Sequence, residues 1–92
     1  MSDIYELPCF DNRKSFYGKA HVIRDGHVYD LLSYDTVVLR WDEDRRELTR
    51  LWSEYSATTM RHVNSFLTRL GISAPGGKTW WDNLTPYVPL AY

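Results

Sequence analysis

The sequence predicts one α+β domain: an antiparallel β-meander of about four strands, then one amphipathic helix, then an irregular aromatic-rich C-terminal arm. Three observations carry this. Asp25-Gly26 sits between two runs rich in β-branched and aromatic residues, the mark of a two-residue hairpin. Apolar residues between Thr59 and Leu70 recur at helical spacing, with a capping serine before them and a glycine after. Beyond Ile72 the chain turns to Pro75, Gly76, Gly77, Pro86 and Pro89, yet it keeps two of the four tryptophans and two of the seven tyrosines, too aromatic for a disordered linker. With 92 residues, 43% of them hydrophobic, the chain supports a single core. Residues 1–92 are therefore one domain, 1–71 forming the meander and helix and 72–92 the arm.

Taken in order, Ile4 to Phe10 suits an edge strand, because the missing N–H of Pro8 costs no ladder bond there. With Asp25 and Gly26 as the turn, Arg24 faces His27, Val22 faces Tyr29 and Ala20 faces Leu31. Ala20, Val22, Tyr29 and Leu31 then share one face. The opposite face carries Tyr17, His21, Ile23, Val28 and Leu32, too apolar to be left in water. Thr36 to Trp41 is the next strand, with Val37, Leu39 and Trp41 on one side and Val38 and Arg40 on the other, ended by Asp42-Glu43-Asp44. Glu47 to Trp52 follows. A loop of Asp42 to Arg45 pairs Leu48 with Leu39 and sets Arg50 opposite Val37, a mismatch that a β-bulge corrects.

The helix opens on Ser56 as N-cap, with Tyr55 and Met60 at the staple positions. Thr59, Met60, Val63, Phe66, Leu67 and Leu70 fall within an arc of about 120°. Gly71 closes it, Ile72 reaching back toward Leu67, and Arg69 suits the negative end of the dipole. One such helix covers one sheet face. The arm, with Trp80, Trp81, Tyr87 and Leu90, is expected to cover the other, residues 78 to 90 packing on the domain.

Eleven basic against twelve acidic residues give a net charge of −1, so the chain is neither a generic nucleic-acid binder nor a wholesale acidic mimic of DNA. No stretch is apolar enough to cross a bilayer, and the N-terminus has no basic-then-apolar leader, which predicts a cytoplasmic protein. Cys9 has no second cysteine to pair with and reads as a small buried hydrophobe. His21, His27, His62 and Cys9 match no zinc spacing. Gly76-Gly77-Lys78-Thr79 ends like a phosphate-binding loop, but Ile72 stands where its first glycine belongs. No nucleophile motif is present. The expectation is a non-enzyme without metal or cofactor.

Eight of the eleven basic residues are arginines, a bias that suits bidentate contacts to carboxylate or phosphate. Arg45, Arg46 and Arg50 cluster after the acidic run Asp42, Glu43 and Asp44, where a solvated strand edge with local Asp-Arg and Glu-Arg pairs is the plainer reading. His62 lies one step off the apolar stripe, where one ring nitrogen stays wet. Trp80 and Trp81 either seal their own sheet or anchor a partner. The candidate partner-binding residues are thus Asp42, Glu43, Asp44, Arg45, Arg46, His62, Trp80 and Trp81.

Two stretches, Lys14-Ser15-Phe16-Tyr17-Gly18-Lys19-Ala20 with Leu32-Ser33-Tyr34-Asp35-Thr36-Val37, and Tyr55 through Leu67 reading YSATTMRHVNSFL, resemble a family of small domains common in phages and other bacterial mobile elements. The resemblance covers roughly residues 13 to 70 and leaves out the tail from Ile72. It implies a setting in the cytoplasm of a bacterial host cell. There, small non-catalytic proteins inhibit host defence by binding, anti-CRISPR proteins being one instance. The expected partner is a host or defence-system protein, with no membrane involved, the chain being a monomer or homodimer. The alternative is a nucleic-acid-binding accessory protein using Arg40, Arg45, Arg46 and Arg50.

Overall fold

The computed structural model describes residues 3–7 and 18–84. Pro8, Cys9, Phe10, Tyr17, Tyr87 and Leu90 lie outside them, and with them the readings made on those residues. Five strands form one antiparallel sheet: β1 (Asp3–Glu6), β2 (Ala20–Asp25), β3 (Val28–Ser33), β4 (Thr36–Asp42) and β5 (Glu47–Arg50). They lie side by side in chain order, which is the expected meander with β1 at one edge.

The hairpin turn falls one residue later than expected. Asp25 pairs with Val28, so Gly26 and His27 are the turn, and Val22 faces Leu31 rather than Tyr29. Gly26 has φ +63 and His27 is outside the left-handed region, as a turn with glycine at its first central position requires. Sliding the register by two residues preserves the side-chain alternation. Ala20, Val22, Tyr29 and Leu31 still share a face, and Ala20, Val22 and Leu31 are fully buried.

Two further corrections follow along the sheet. A bulge in β4 sets Leu31 opposite Leu39 but Leu32 opposite Val37, leaving Val38 as the extra residue. Val37 thereby leaves the face of Leu39 and Trp41 for the opposite one, and Val38 becomes buried. On the far side of β4, Asp42 pairs with Glu47 and Trp41 with Leu48, so the loop is Glu43 to Arg46 rather than Asp42 to Arg45. Arg50 stands opposite Leu39, on the core face.

The long helix α1 (Ala57–Leu70) starts and stops where the sequence says. The Ser56 hydroxyl accepts from the Thr59 N–H at 3.0 Å. At the other end Gly71, at φ +70, donates to Thr68 O, and Ile72 donates to Leu67 O at 2.9 Å, the two bonds of a Schellman close. Thr59, Met60, Val63, Phe66 and Leu67 are buried as the stripe predicts, and His62 and Ser65 are buried beside them. Of the two staple positions, Met60 is buried and Tyr55 is not. Tyr55 is 40% exposed, with the Lys78 ammonium 5.8 Å from its ring centre.

The arm is not irregular throughout, since Gly77–Asp82 form a second short helix, α2. It packs on the same side of the sheet as α1. Trp81 is fully buried in the core with Leu39, Val63 and Phe66, and Trp80, Ala74 and Leu84 pack against that core. As far as Leu84, the arm therefore does not cover the opposite face, where His21, Ile23, Val28 and Leu32 stay half-buried. That face is centred on a two-pronged ion pair, Arg40 to Asp30 at 2.7 and 3.0 Å.

Candidate functional site

One end of the sheet gathers the charged residues that the sequence singles out. The four-residue loop from Glu43 to Arg46 closes with Arg46 in the left-handed region at φ +52, a strained conformation for a residue with a Cβ. Asp42, still in β4, accepts from the Arg45 N–H at 3.1 Å. The Glu43 N–H donates to His27 O at 2.9 Å and ties this loop to the turn between β2 and β3. His27 then stands between two carboxylates, Nε2 3.7 Å from Asp42 and Nδ1 3.6 Å from Asp44. Sequence reasoning missed His27 here, because a hairpin turn and a loop sixteen residues later meet only when β3 and β4 pair. Among the described residues no group of three or more His, Cys, Asp or Glu side chains could hold a metal ion.

Beside this loop a cleft of about 680 Å³ opens between β4 and the end of α1, lined by Trp41, Glu43, Arg46, Leu70, Gly71, Ile72 and Ser73. Trp41 is half-buried, while Glu43 and Arg46 are exposed. Among the described residues neither the Glu43 carboxylate nor the Arg46 guanidinium has an ion-pair partner. A half-buried tryptophan among exposed charged residues is surface chemistry suited to a protein contact.

The other candidates do not join this end. His62 is 1% exposed, not at a wet core edge. Its Nδ1 lies 2.8 Å from Ser33 Oγ, which is 3.3 Å from Thr59 Oγ1, and the Tyr34 ring covers it at 5.6 Å. Burial, and secondarily the charge of Arg61, lower its pKa below the ordinary 6.5. Residue 62 escapes the apolar pattern yet is buried, because the facing strand supplies a hydroxyl where an aliphatic side chain would otherwise sit. It joins helix to sheet and presents nothing to a partner.

Trp81 is likewise internal, its Nε1 donating to Glu54 O at 2.7 Å. Arg50, read from sequence as part of a solvated cluster, is 8% exposed. Its guanidinium donates to the carbonyls of Trp52, Ser53 and Trp81 at 2.7 to 2.8 Å and lies 4.9 Å from the Trp81 ring centre. Only Trp80 of the tail pair reaches the surface, half-buried along a groove of about 460 Å³ with Pro75, Gly76, Thr79, Asn83 and Leu84.

Among the described residues no helix is long and apolar enough to cross a membrane. No curated protein and no solved structure matches the chain. A family model does match it, over residues 5–83, a span that takes in α1, α2 and all of the sheet except the first two residues of β1. The chain belongs to DUF8033, a family of unknown function.

Proposed function

We propose that this protein is a non-catalytic protein-binding module that meets its partner through the loop end of the sheet. The observation that carries this reading is the cleft beside the loop, which Trp41 lines together with two exposed opposite charges, Glu43 and Arg46, neither of them ion-paired among the described residues. Nucleic-acid binding is less well supported. Of the four arginines that reading needs, Arg40 is engaged with Asp30 and Arg50 with three carbonyls, while Arg45 and Arg46 are flanked by Asp42, Glu43, Asp44 and Glu47, which repel phosphate. In the setting that the sequence resemblance implies, the partner is a host or defence-system protein and the module an inhibitor of a CRISPR-Cas-type complex in the bacterial cytoplasm.

Capture from a bacterial lysate, with and without nuclease treatment, tests the binding reading. A retained protein that survives nuclease and moderate salt, and associates more slowly with Asp42→Asn/Glu43→Gln/Asp44→Asn, is expected. Capture that vanishes with nuclease and falls steeply with salt would point to nucleic acid. The defence reading is checked separately: expression in cells with an active CRISPR-Cas system should restore phage plaques, and undiminished interference removes that form of the proposal.

A further inference from the structure

We propose that the sheet face opposite the two helices is a docking surface for a basic amphipathic helix of a partner protein. It is a second surface, separate from the loop cleft, and it goes beyond the reading above.

The strand registers put Ile4, Ile23, Val28, Leu32 and Val37 on this face, around the ion pair of Arg40 with Asp30. An antiparallel sheet with one side in water ordinarily turns polar residues outward there. Here Ile4 is 63% exposed and the other four are half-buried. Both helices pack into the core on the other side, and among the described residues no element covers this one.

Charge selects the occupant. The same registers place Glu6, Asp25, Asp30, Asp42 and Glu47 on the face against one guanidinium, Arg40. Five carboxylates against one cation leave it four charges negative, and with the whole chain at −1 the rest of the molecule is three charges positive, histidines being neutral. Negative charge is therefore concentrated on the one uncovered face. Glu6, Asp25 and Glu47 have no ion-pair partner among the described residues. Such a face repels nucleic acid and anionic lipid, and a two-fold dimer through it would set two negative surfaces together. A surface with an apolar middle and flanking cations is its complement.

A sheet face takes a helix or a second sheet as its covering layer. A helix keeps its backbone hydrogen bonds to itself and carries an apolar stripe between charged flanks. Strands β3 and β4, of six and seven residues, run about 20 Å, the length that α1 spans with 14 residues on the other face. Asp25, Asp42 and Glu47 share the row at the loop end, and Leu32 pairs with Val37 near the other. The docked helix thus sets lysines or arginines over the loop end and its apolar stripe over Ile23, Leu32 and Val37.

The test uses the full chain with labelled methyl groups. In the free protein a soluble paramagnetic probe should broaden the methyls of Ile23, Val28, Leu32 and Val37 well beyond those of the fully buried Leu31 and Val63. A helical peptide of leucine and lysine, as long as α1, is then titrated in parallel with its glutamate counterpart. Saturable shifts of those four methyls are expected with the lysine peptide, about ten-fold tighter than with the glutamate peptide and weakening as salt rises. Ile4→Ser and the pair Asp25→Asn/Glu47→Gln should each weaken binding a few-fold, all three being exposed positions whose substitution spares the fold. Methyls as protected as Val63 would mean that the chain covers this face itself, and association of the free chain through the face would mean a second copy; either overturns the proposal. So does a silent face, a response confined to the α1 side or the loop cleft, an equal response to the glutamate peptide, or variants that bind like the parent. Two failures stay distinct. Nuclease-resistant capture with a silent face removes only this inference, whereas nuclease-sensitive capture with the face still binding the lysine peptide removes only the reading of the loop end.

Discussion

The two helices pack on the same core by different means. In α1, 14 residues carry their own instructions: a serine that caps, a glycine that stops, and an apolar stripe that faces the sheet. In α2, six residues follow Gly76, which provides no side-chain cap, and that length is far below the roughly 12 to 15 at which an isolated helix becomes even marginal. Its place depends on Trp81, fully buried, and on Arg50, whose guanidinium meets three carbonyls and one ring. A striped helix loses stability in proportion to the surface removed. A helix hung on one cation and one indole is released when either is lost.

The sharpest test of the α1 half is Leu67→Ala, which leaves a cavity between α1 and the sheet and should cost about 2 to 5 kcal/mol, spread over the whole cooperative unit. A melting temperature equal to the parent's would mean that the stripe does not carry the packing. For the α2 half, Arg50→Met keeps the aliphatic bulk but strands three carbonyls, at a cost of about 2 to 3 kcal/mol. The loss should be local: Gly77 to Asp82 lose hydrogen-exchange protection while Phe66 and Leu67 keep theirs. If both helices loosen together, the contrast between them is broken. Ser56→Ala, at about 1 kcal/mol, should fray the first turn of α1 and leave α2 untouched, read from the same exchange experiment.

The smallest expected effect depends on pH. His62 is buried with its pKa below the ordinary 6.5, so the unfolded chain takes up its proton first on acidification. The stabilisation is complete above pH 6.5 and is lost as pH falls from there through the lowered folded-state value. Denaturant unfolding at pH 7.5 and 5.5 should show a larger drop for the parent chain than for His62→Asn. Equal drops would remove His62 from the account.

Legibility divides along a similar line. The ends and face of α1 were readable because each signal acts within about four residues, as the Ser56 and Gly71 hydrogen bonds do. The core face of β2 and β3 was readable even though the turn was placed one residue early, since sliding by two residues preserves alternation. The loop end, Asp42 to Arg46, was legible as a cluster of charge. Its partners Trp41 and His27, and the wall from α1, were not, because they meet through strand pairing and helix docking.

Pattern and capping chemistry were therefore enough to specify an α+β meander with one amphipathic helix, since backbone hydrogen bonding and side-chain periodicity are local properties of the chain. The fates of Val38, Arg50, His62 and Trp81 were decided only in the folded state. One bulge turned Val38 inward, and the pairing of β4 with β5 set Arg50 opposite Leu39, where α2 comes to cover it. There a polar side chain is tolerated only if its neighbours supply partners: carbonyls and a ring for Arg50, the Ser33 hydroxyl for His62, the Glu54 carbonyl for Trp81. Those partners lie up to 31 residues away along the chain, and no local pattern announces them.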